Sequence, residues 1–498
     1  MKHKTTLALF IILLLLTLAL FVNRESFAQS NSLIVEVEQH WDTYGAGGTC
    51  IPGGHNLFVA DVDGDGVKEM ITGGFSYKYL PNGSWASGWA PFKIWNWDGT
   101  NLTLEKNYSW TGNIGCVYAG DADGDGKIEI ITAGRLTNST NSVSSLRIWR
   151  WNGQDLVLKG SYEDISVNAI FVGNVDKGNK PEIVTVARAY NTTQSPAQLS
   201  VWQWDGNSFS LKKSAEWSAA SDIARGSSVN AGDLDKDGVI EIVTCGYVNN
   251  LENCSGQVCI WQFDGTDLSM KANAEWRMVD GYSVDNAGNV MGNTMAHNVK
   301  VGDVDDDGFP EIVTGGFTYD GEKVKGQLRI WNWTAGILNL EKSQEWATSD
   351  ITEIKSVSLN DVDGDGKIEI VTSGSSAGYD SFAQGAANKA QAQIRVWSWD
   401  GNTLTLKQSK DWIVGEAVCA WNVGTGDVDN DGVVEIVTVG CMQIENSHDC
   451  DPDLRIWSLP AASVPLTSFP YLVAVGGAAT AVMVAAIATF MFLRKRRE

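Results

Sequence analysis

Between residues 355 and 407 apolar and polar positions alternate in four short runs, 355–360, 369–373, 393–399 and 403–407. Each is rich in β-branched or aromatic residues and bounded by Gly, Asn or Asp. Period-two alternation with such boundaries predicts β-strands joined by tight turns. Between the two apolar ends of the chain no segment carries a sustained 3.6-residue apolar period with caps, so the intervening region is predicted to be all-β. The four-run pattern recurs about every 60 residues. A repeat of that size points to a propeller or an array, in which units bury their apolar faces against one another.

The polar positions repeat with it. Asp-x-Asp-x-Asp-Gly-x-x-Glu, followed by two apolar residues and Thr, is complete at Asp61, Asp121, Asp233, Asp303, Asp361 and Asp427. A degenerate copy at Asn174 keeps Asp176 and Glu182 but has Gly178 at its fifth position. Apolar-Trp segments begin at Ile94, Ile148, Val201, Ile260, Ile330, Val396 and Ile456, and Pro460 stops the last before it gains an outer strand. Residues 32–41 match residues 402–412 in alternation and in their closing Trp. They can supply that missing strand. The expected fold is therefore an all-β, seven-bladed β-propeller over residues 29–459, closed by the N-terminal strand joining the last blade, so that no sheet edge is left open. Of the 21 Trp residues, 18 fall on two repeat positions and read as packing. Trp85, Trp89 and Trp421 lie outside that pattern.

Three aspartates at alternate positions followed by Gly gather hard oxygen donors around one centre, where their mutual repulsion calls for a cation. The expected ligands are Asp61, Asp63, Asp65 and Glu69, with the Val67 carbonyl as a fifth donor. In the other complete loops they are Asp121, Asp123, Asp125 and Glu129; Asp233, Asp235, Asp237 and Glu241; and Asp303, Asp305, Asp307 and Glu311. The last two loops offer Asp361, Asp363, Asp365 and Glu369, and Asp427, Asp429, Asp431 and Glu435. Many oxygens on a flexible loop favour Ca2+, about six ions in all, with the Asn174 copy departing from the pattern. An EF-hand needs Glu at position 12, which is Thr in every copy (Thr72, Thr132, Thr185, Thr244, Thr314, Thr372, Thr438). The formal net charge is −23. Such acidity without a basic stripe excludes nucleic acid as the expected partner.

The ends and the cysteines suggest where the chain resides. Residues 1–28 read as a signal peptide, an uncleaved anchor being the alternative. Residues 460–470 read as a stalk, 471–493 as a transmembrane helix and 494–498 as a basic cytoplasmic tail. A single-pass protein with its propeller outside the cell is expected, although such a tail can also be a sorting signal exchanged for a lipid anchor. Eight cysteines fit an oxidising compartment. Local disulfides Cys245–Cys254 and Cys441–Cys450 are expected from their equal spacing, leaving Cys50, Cys116, Cys259 and Cys419 unassigned. Sequons at Asn82, Asn101, Asn107, Asn138, Asn191, Asn253 and Asn332 permit glycosylation.

On its repeated Asp-x-Asp-x-Asp-Gly-x-x-Glu loops the chain resembles the FG-GAP/VCBS repeat family, whose calcium-loaded propellers include the head of integrin α subunits. The resemblance covers residues 32–459. It implies calcium in hairpins between the first and second strands of each blade, held by the four acidic residues of each complete copy. The chain lacks literal Phe-Gly and Gly-Ala-Pro signatures and an inserted adhesion domain, so integrin-like ligand choice is not implied.

Long segments at 74–92, 277–298 and 374–392 all fall on the face opposite the acidic loops. Variation on one face of a rigid ring points to binding there. The expected function is recognition or adhesion at the cell surface through an extracellular glycan or protein ligand. Candidate contacts are His55, Asn56, Trp85, Trp89, His297, Asn298 and Trp421. The rivals are a structural surface-layer component and a polysaccharide lyase or hydrolase. No nucleophile elbow or zinc motif is present and His residues number five, so the chain is expected not to be an enzyme, with Asp280, Asp285 and Asp380 as the carboxylates an enzyme would use.

Overall fold

A computed structural model describes the chain between residues 33 and 459. Residues 41–47, 50–55, 80–84, 139–140, 189–195, 219–222, 251–252, 281–282, 285–289, 292, 378–389, 416 and 444–449 lie outside the description, as do 1–32 and 460–498. All regular structure among the described residues is β-strand.

The unit around Asp303 shows the repeated plan. Strands Thr294–Gly302, Glu311–Tyr319, Val324–Thr334 and Ile337–Trp346 pair antiparallel in chain order, with the acidic loop between the first two. The second strand is buried along almost its whole length, whereas the fourth is half-buried or exposed. Burial thus declines from the middle of each sheet to its outer edge. The first strand of each unit lies against that of the next, from Leu57–Ala60 round to Ala417–Gly426, which touches Leu57–Ala60 again. These strands form a closed ring, the arrangement of a β-propeller.

Closure is covalent in neither direction and depends on pairing. Ile34–His40 lies antiparallel to Cys450–Ser458, with Ile34 opposite Ser458 and Val35 opposite Trp457. It is the outermost strand of a sheet whose other three members come from the far end of the described chain. Arg455 donates to Glu38 at 2.6 Å and to Asp453 at 3.0 Å, joining the two chain ends through a half-buried ion pair.

Seven blades were expected; the described strands instead form five sheets of four or more strands. Three have four strands, one has nine and one has eight, with a two-stranded ribbon besides. The nine-stranded sheet arises because Leu102–Gly120 runs on as one 19-residue strand. Its first half pairs with Trp85–Trp97 and its second with Glu129–Asn138. The eight-stranded sheet arises from one parallel bridge, Val324 to Ile351. The transmembrane expectation is corrected too. No helix among the described residues is long and apolar enough to cross a membrane. Residues 471–493 lie outside the description, and the single-pass cell-surface placement is therefore dropped.

The disulfide expectation also fails. Cys245 and Cys254 carry free thiols. Cys245 stands opposite Val258, four residues along the strand from Cys254, which is roughly 13 Å at strand rise. A disulfide needs Cα atoms within about 7 Å. Cys441 faces Pro452, and its sulfur accepts the Trp421 indole N–H at 3.4 Å.

The repeated Thr has a packing role. Trp331 Nε1 donates to Thr314 Oγ1 at 3.1 Å, and the same bond joins Trp95–Thr72, Trp149–Thr132, Trp202–Thr185, Trp261–Thr244, Trp397–Thr372 and Trp457–Thr438. Both groups are buried. Replacing Thr314 by Val keeps the shape and strands the indole donor, so T314V is expected to lose about 1–3 kcal/mol in urea unfolding. The double variant T314V/W331F is expected to lose less than the sum of the two single variants. Strict additivity would show that the bond has no role.

Candidate functional site

In the loop at Asp61 each carboxylate accepts backbone N–H groups. Asp61 takes those of Gly64 and Gly66 at 2.7 and 3.0 Å, Asp65 takes that of Val67 at 2.8 Å, and Glu69 takes that of Val62 at 2.9 Å. The turn requires the left-handed region, which Gly66 enters at φ 96° and Asp306 at φ 65° in a sister loop. Glu129, Glu182, Glu241, Glu311, Glu369 and Glu435 repeat the contact of Glu69. Carboxylate oxygens of Asp61, Asp63 and Glu69 lie within 4.8 Å of one another, as do those of Asp121, Asp123 and Asp125, and of Asp303, Asp305 and Glu311. Several of these acidic clusters could hold a metal ion.

Burial first, then repulsion from nearby aspartates, pushes Glu69 and Glu311 up to about 8. The same causes push Glu241 and Glu435 up to about 7. A divalent cation at the oxygens would relieve this, so the residues present fit the calcium implied by the resemblance. Two loops carry an internal cation. Lys407 Nζ lies 2.5 Å from Asp363, 3.0 Å from Glu369 and 3.3 Å from Asp365. Arg150 contacts Glu129 and lies 2.9 Å from Asp125. The degenerate loop is held differently, with the Asn174 amide donating to the Gly178 carbonyl at 2.6 Å.

Several acidic loops also abut a neighbouring unit. A Cβ on Gly99 would come within 2.8 Å of Asp429 Oδ2, and one on Gly153 within 2.9 Å of Asp63 Oδ2. The Gly of the Trp-x-Trp-Asp-Gly turn is thus required where an acidic loop of another unit passes.

At the ring's centre lies a cavity of about 460 Å3. Gly115, Asn168, Ser227, His297, Lys355 and Trp421 line it, each six residues ahead of its acidic loop. A β-bulge recurs at that point. Pairing skips between Ile114 and Cys116, Gly226 and Ser228, Ala296 and Asn298, Ile354 and Ser356, and Ala420 and Asn422. The skipped residue is turned towards the axis, as bulges commonly re-aim a side chain. Arg225 and Tyr247 also line the cavity. Arg225 is exposed and makes no ion pair among the described residues. Lys355 contacts Glu353 and sits 4.9 Å from the Trp421 ring centre. Among the described residues His297 Nε2 is buried without a hydrogen-bond partner. Burial, then the charge of Lys355, drives its ring down to about 3, so it is neutral at neutral pH.

The ligand residues expected from sequence are not one group. His297 and Trp421 meet in the cavity, and Asn298 lies buried behind it. Asn56 is buried too, its carbonyl accepting the Gly73 N–H, and His55 lies outside the described residues. Trp89 stands opposite Ser76 and Thr111 and does not line the cavity. The Trp85 backbone pairs with Tyr79, and its side chain lies outside the description. Arg225, Lys355 and Tyr247 were missed. The signal for Lys355 was present, since it occupies the same repeat position as His297.

No family profile and no curated protein matches the chain. Among solved structures it is similar to the exotype rhamnogalacturonan lyase YesX, at 14% identity over 85% of this chain and 76% of that one, with a TM-score of 0.44. It is also similar to the Dos1 propeller, at 11% identity over 85% and 96%, TM-score 0.43. A Bacillus licheniformis rhamnogalacturonan lyase of type PL11 matches at 12% over 83% and 91%, TM-score 0.34. At these scores the likenesses carry no functional argument, and the propeller assignment rests on strand pairing.

The loop electrostatics give a signed pH dependence. A glutamate whose folded value is raised stabilises the fold below its ordinary 4.5 and loses that contribution as pH climbs through about 8. In chelator the melting temperature is expected to fall across that window. His297 acts in the opposite sense but is one group against Glu69, Glu241, Glu311 and Glu435. A melting temperature that rises with pH over the same window in chelator would contradict the loop electrostatics.

Proposed function

We propose that the chain is a ligand-binding propeller whose axial cavity takes an acidic sugar of a glycan, and that calcium in the acidic loops keeps the ring ordered. The observation carrying this is the charge of the cavity. In a chain of net charge −23, the described residues lining it include Arg225 and Lys355, the latter paired with Glu353, and no carboxylate. An arginine without an ion-pair partner offers the fork that binds a carboxylate through two parallel hydrogen bonds. Trp421 and Tyr247 supply apolar surface for a sugar ring, while Asn168, Ser227 and the His297 Nε2 supply hydroxyl partners. The volume lies in the roughly 300–1,000 Å3 range of small-ligand sites.

The test is an array of neutral and uronate-bearing oligosaccharides, followed by calorimetry on those bound. Acidic oligosaccharides are expected to bind, and Arg225→Ala and Trp421→Ala each to weaken binding by about tenfold or more, the scale of a charged hydrogen bond. Equal binding of neutral sugars, or an unaffected R225A variant, would remove the acidic-sugar assignment. Shortening of the bound chain over time would move the reading to a polysaccharide-active enzyme, with the neutral His297 imidazole as the first residue to replace.

A further inference from the structure

A second β-bulge recurs in every unit, on the outermost strand. Pairing skips Glu105 between Leu104 and Lys106, and it skips Glu341 and Glu36 at the equivalent places. In the remaining units the skipped residue is Lys159, Lys212, Lys271 or Lys407. Lys407 shows where this position points, because its ammonium reaches three carboxylates of the acidic loop in its own unit. Glu105 lies close enough to Asp63 and Asp65 for their charges to oppose its own. Glu341 stands so towards Asp305 and Asp307, and Glu36 towards Asp429 and Glu435.

We propose that this bulged residue decides which acidic loops take a divalent cation. Glu105, Glu341 and Glu36 act as a fifth carboxylate at the loops of Asp61, Asp303 and Asp427. Lys407 serves as a tethered counter-ion that holds its loop without metal; at the loop of Asp121, where the bulged residue is Lys159, Arg150 of the third strand takes that place. At the loop of Asp233 the bulged Lys271 supplies no fifth carboxylate, which places that site with the weak class. This rests on the cation reading above and divides its sites in two. The physical ground is charge count: five carboxylates against a divalent ion leave a net attraction that four carboxylates and an ammonium do not match, and calcium affinity follows ligand charge.

The experiment is calcium titration of the chelator-stripped full chain by calorimetry, with metal content after dialysis as a second count. Three tight ions are expected for the natural sequence. Lys407→Glu is expected to gain a fourth. Glu341→Gln, which removes repulsion and so folds at least as readily without metal, is expected to weaken one site by about tenfold or more, by loss of one charged ligand. Six equivalent ions, with neither variant changing the count or the affinity, would overturn this division and leave the cation reading standing. A natural chain that takes up no calcium would remove both.

Discussion

The buried bond between each third-strand Trp and the Thr that follows each acidic loop is the constraint on which the rest depends. An indole enclosed between neighbouring sheets must place its single N–H on an acceptor, because an unmade bond there costs about 1–3 kcal/mol. The hydroxyl is supplied at one register position, opposite the residue two before the Trp. That Trp is in turn covered by an aromatic ring of another unit, at 5.0 Å for Trp110 on Trp149 and 5.1 Å for Trp276 on Trp331. Tyr162 does the same over Trp202. Position 12 of the loop is therefore committed to packing and is closed to a metal-binding glutamate. The difference from an EF-hand lies in the core as much as in the loop.

Strand content, repeat spacing and ring closure were legible because each leaves a side-chain signature: alternation, a fixed acidic grammar, and an orphan Trp strand at each end. The partition into separate sheets was not. Whether one unit's last strand runs on into the next unit's first depends on backbone direction at the link, and side-chain pattern does not encode it. Thr111-Gly112-Asn113 has the composition of a turn, yet the chain passes through it as strand, with Gly112 at φ 125°. The cysteine spacing misled for a related reason. Equal spacing in two hairpins gives equal geometry, but here an equal distance too great to bridge at Cys245 and Cys254.

The acidic loops were read residue by residue, since spacing alone brings alternate carboxylates to one centre. What spacing could not give was their surroundings. Arg150 lies 21 residues from Glu129, and Lys407 lies 38 from Glu369. Both arrive from other strands of the same sheet. The contact of Gly99 with Asp429 shows that loop order and ring order are one property, because the loop of one unit is walled by the turn of another. Ordering the loop carboxylates thus bears on the unit boundary as well as on the hairpin that carries them.

Both ends of the unit use the same device. Strict alternation sends successive side chains to opposite faces, so a residue aimed at the axis or at the acidic loop has to escape that phase. One inserted residue does so without lengthening the turn: His297, Lys355 and Trp421 at the inner strand, Glu105, Glu341 and Lys407 at the outer. The neighbours keep their register on each side of the bulge, and the core keeps its Trp–Thr bond. The bulged positions are then free of packing duty, and their chemistry differs from unit to unit while the Trp and Thr positions do not. Within the strands, backbone geometry places variable chemistry at two bulges, one facing the axial cavity and the other facing the carboxylates.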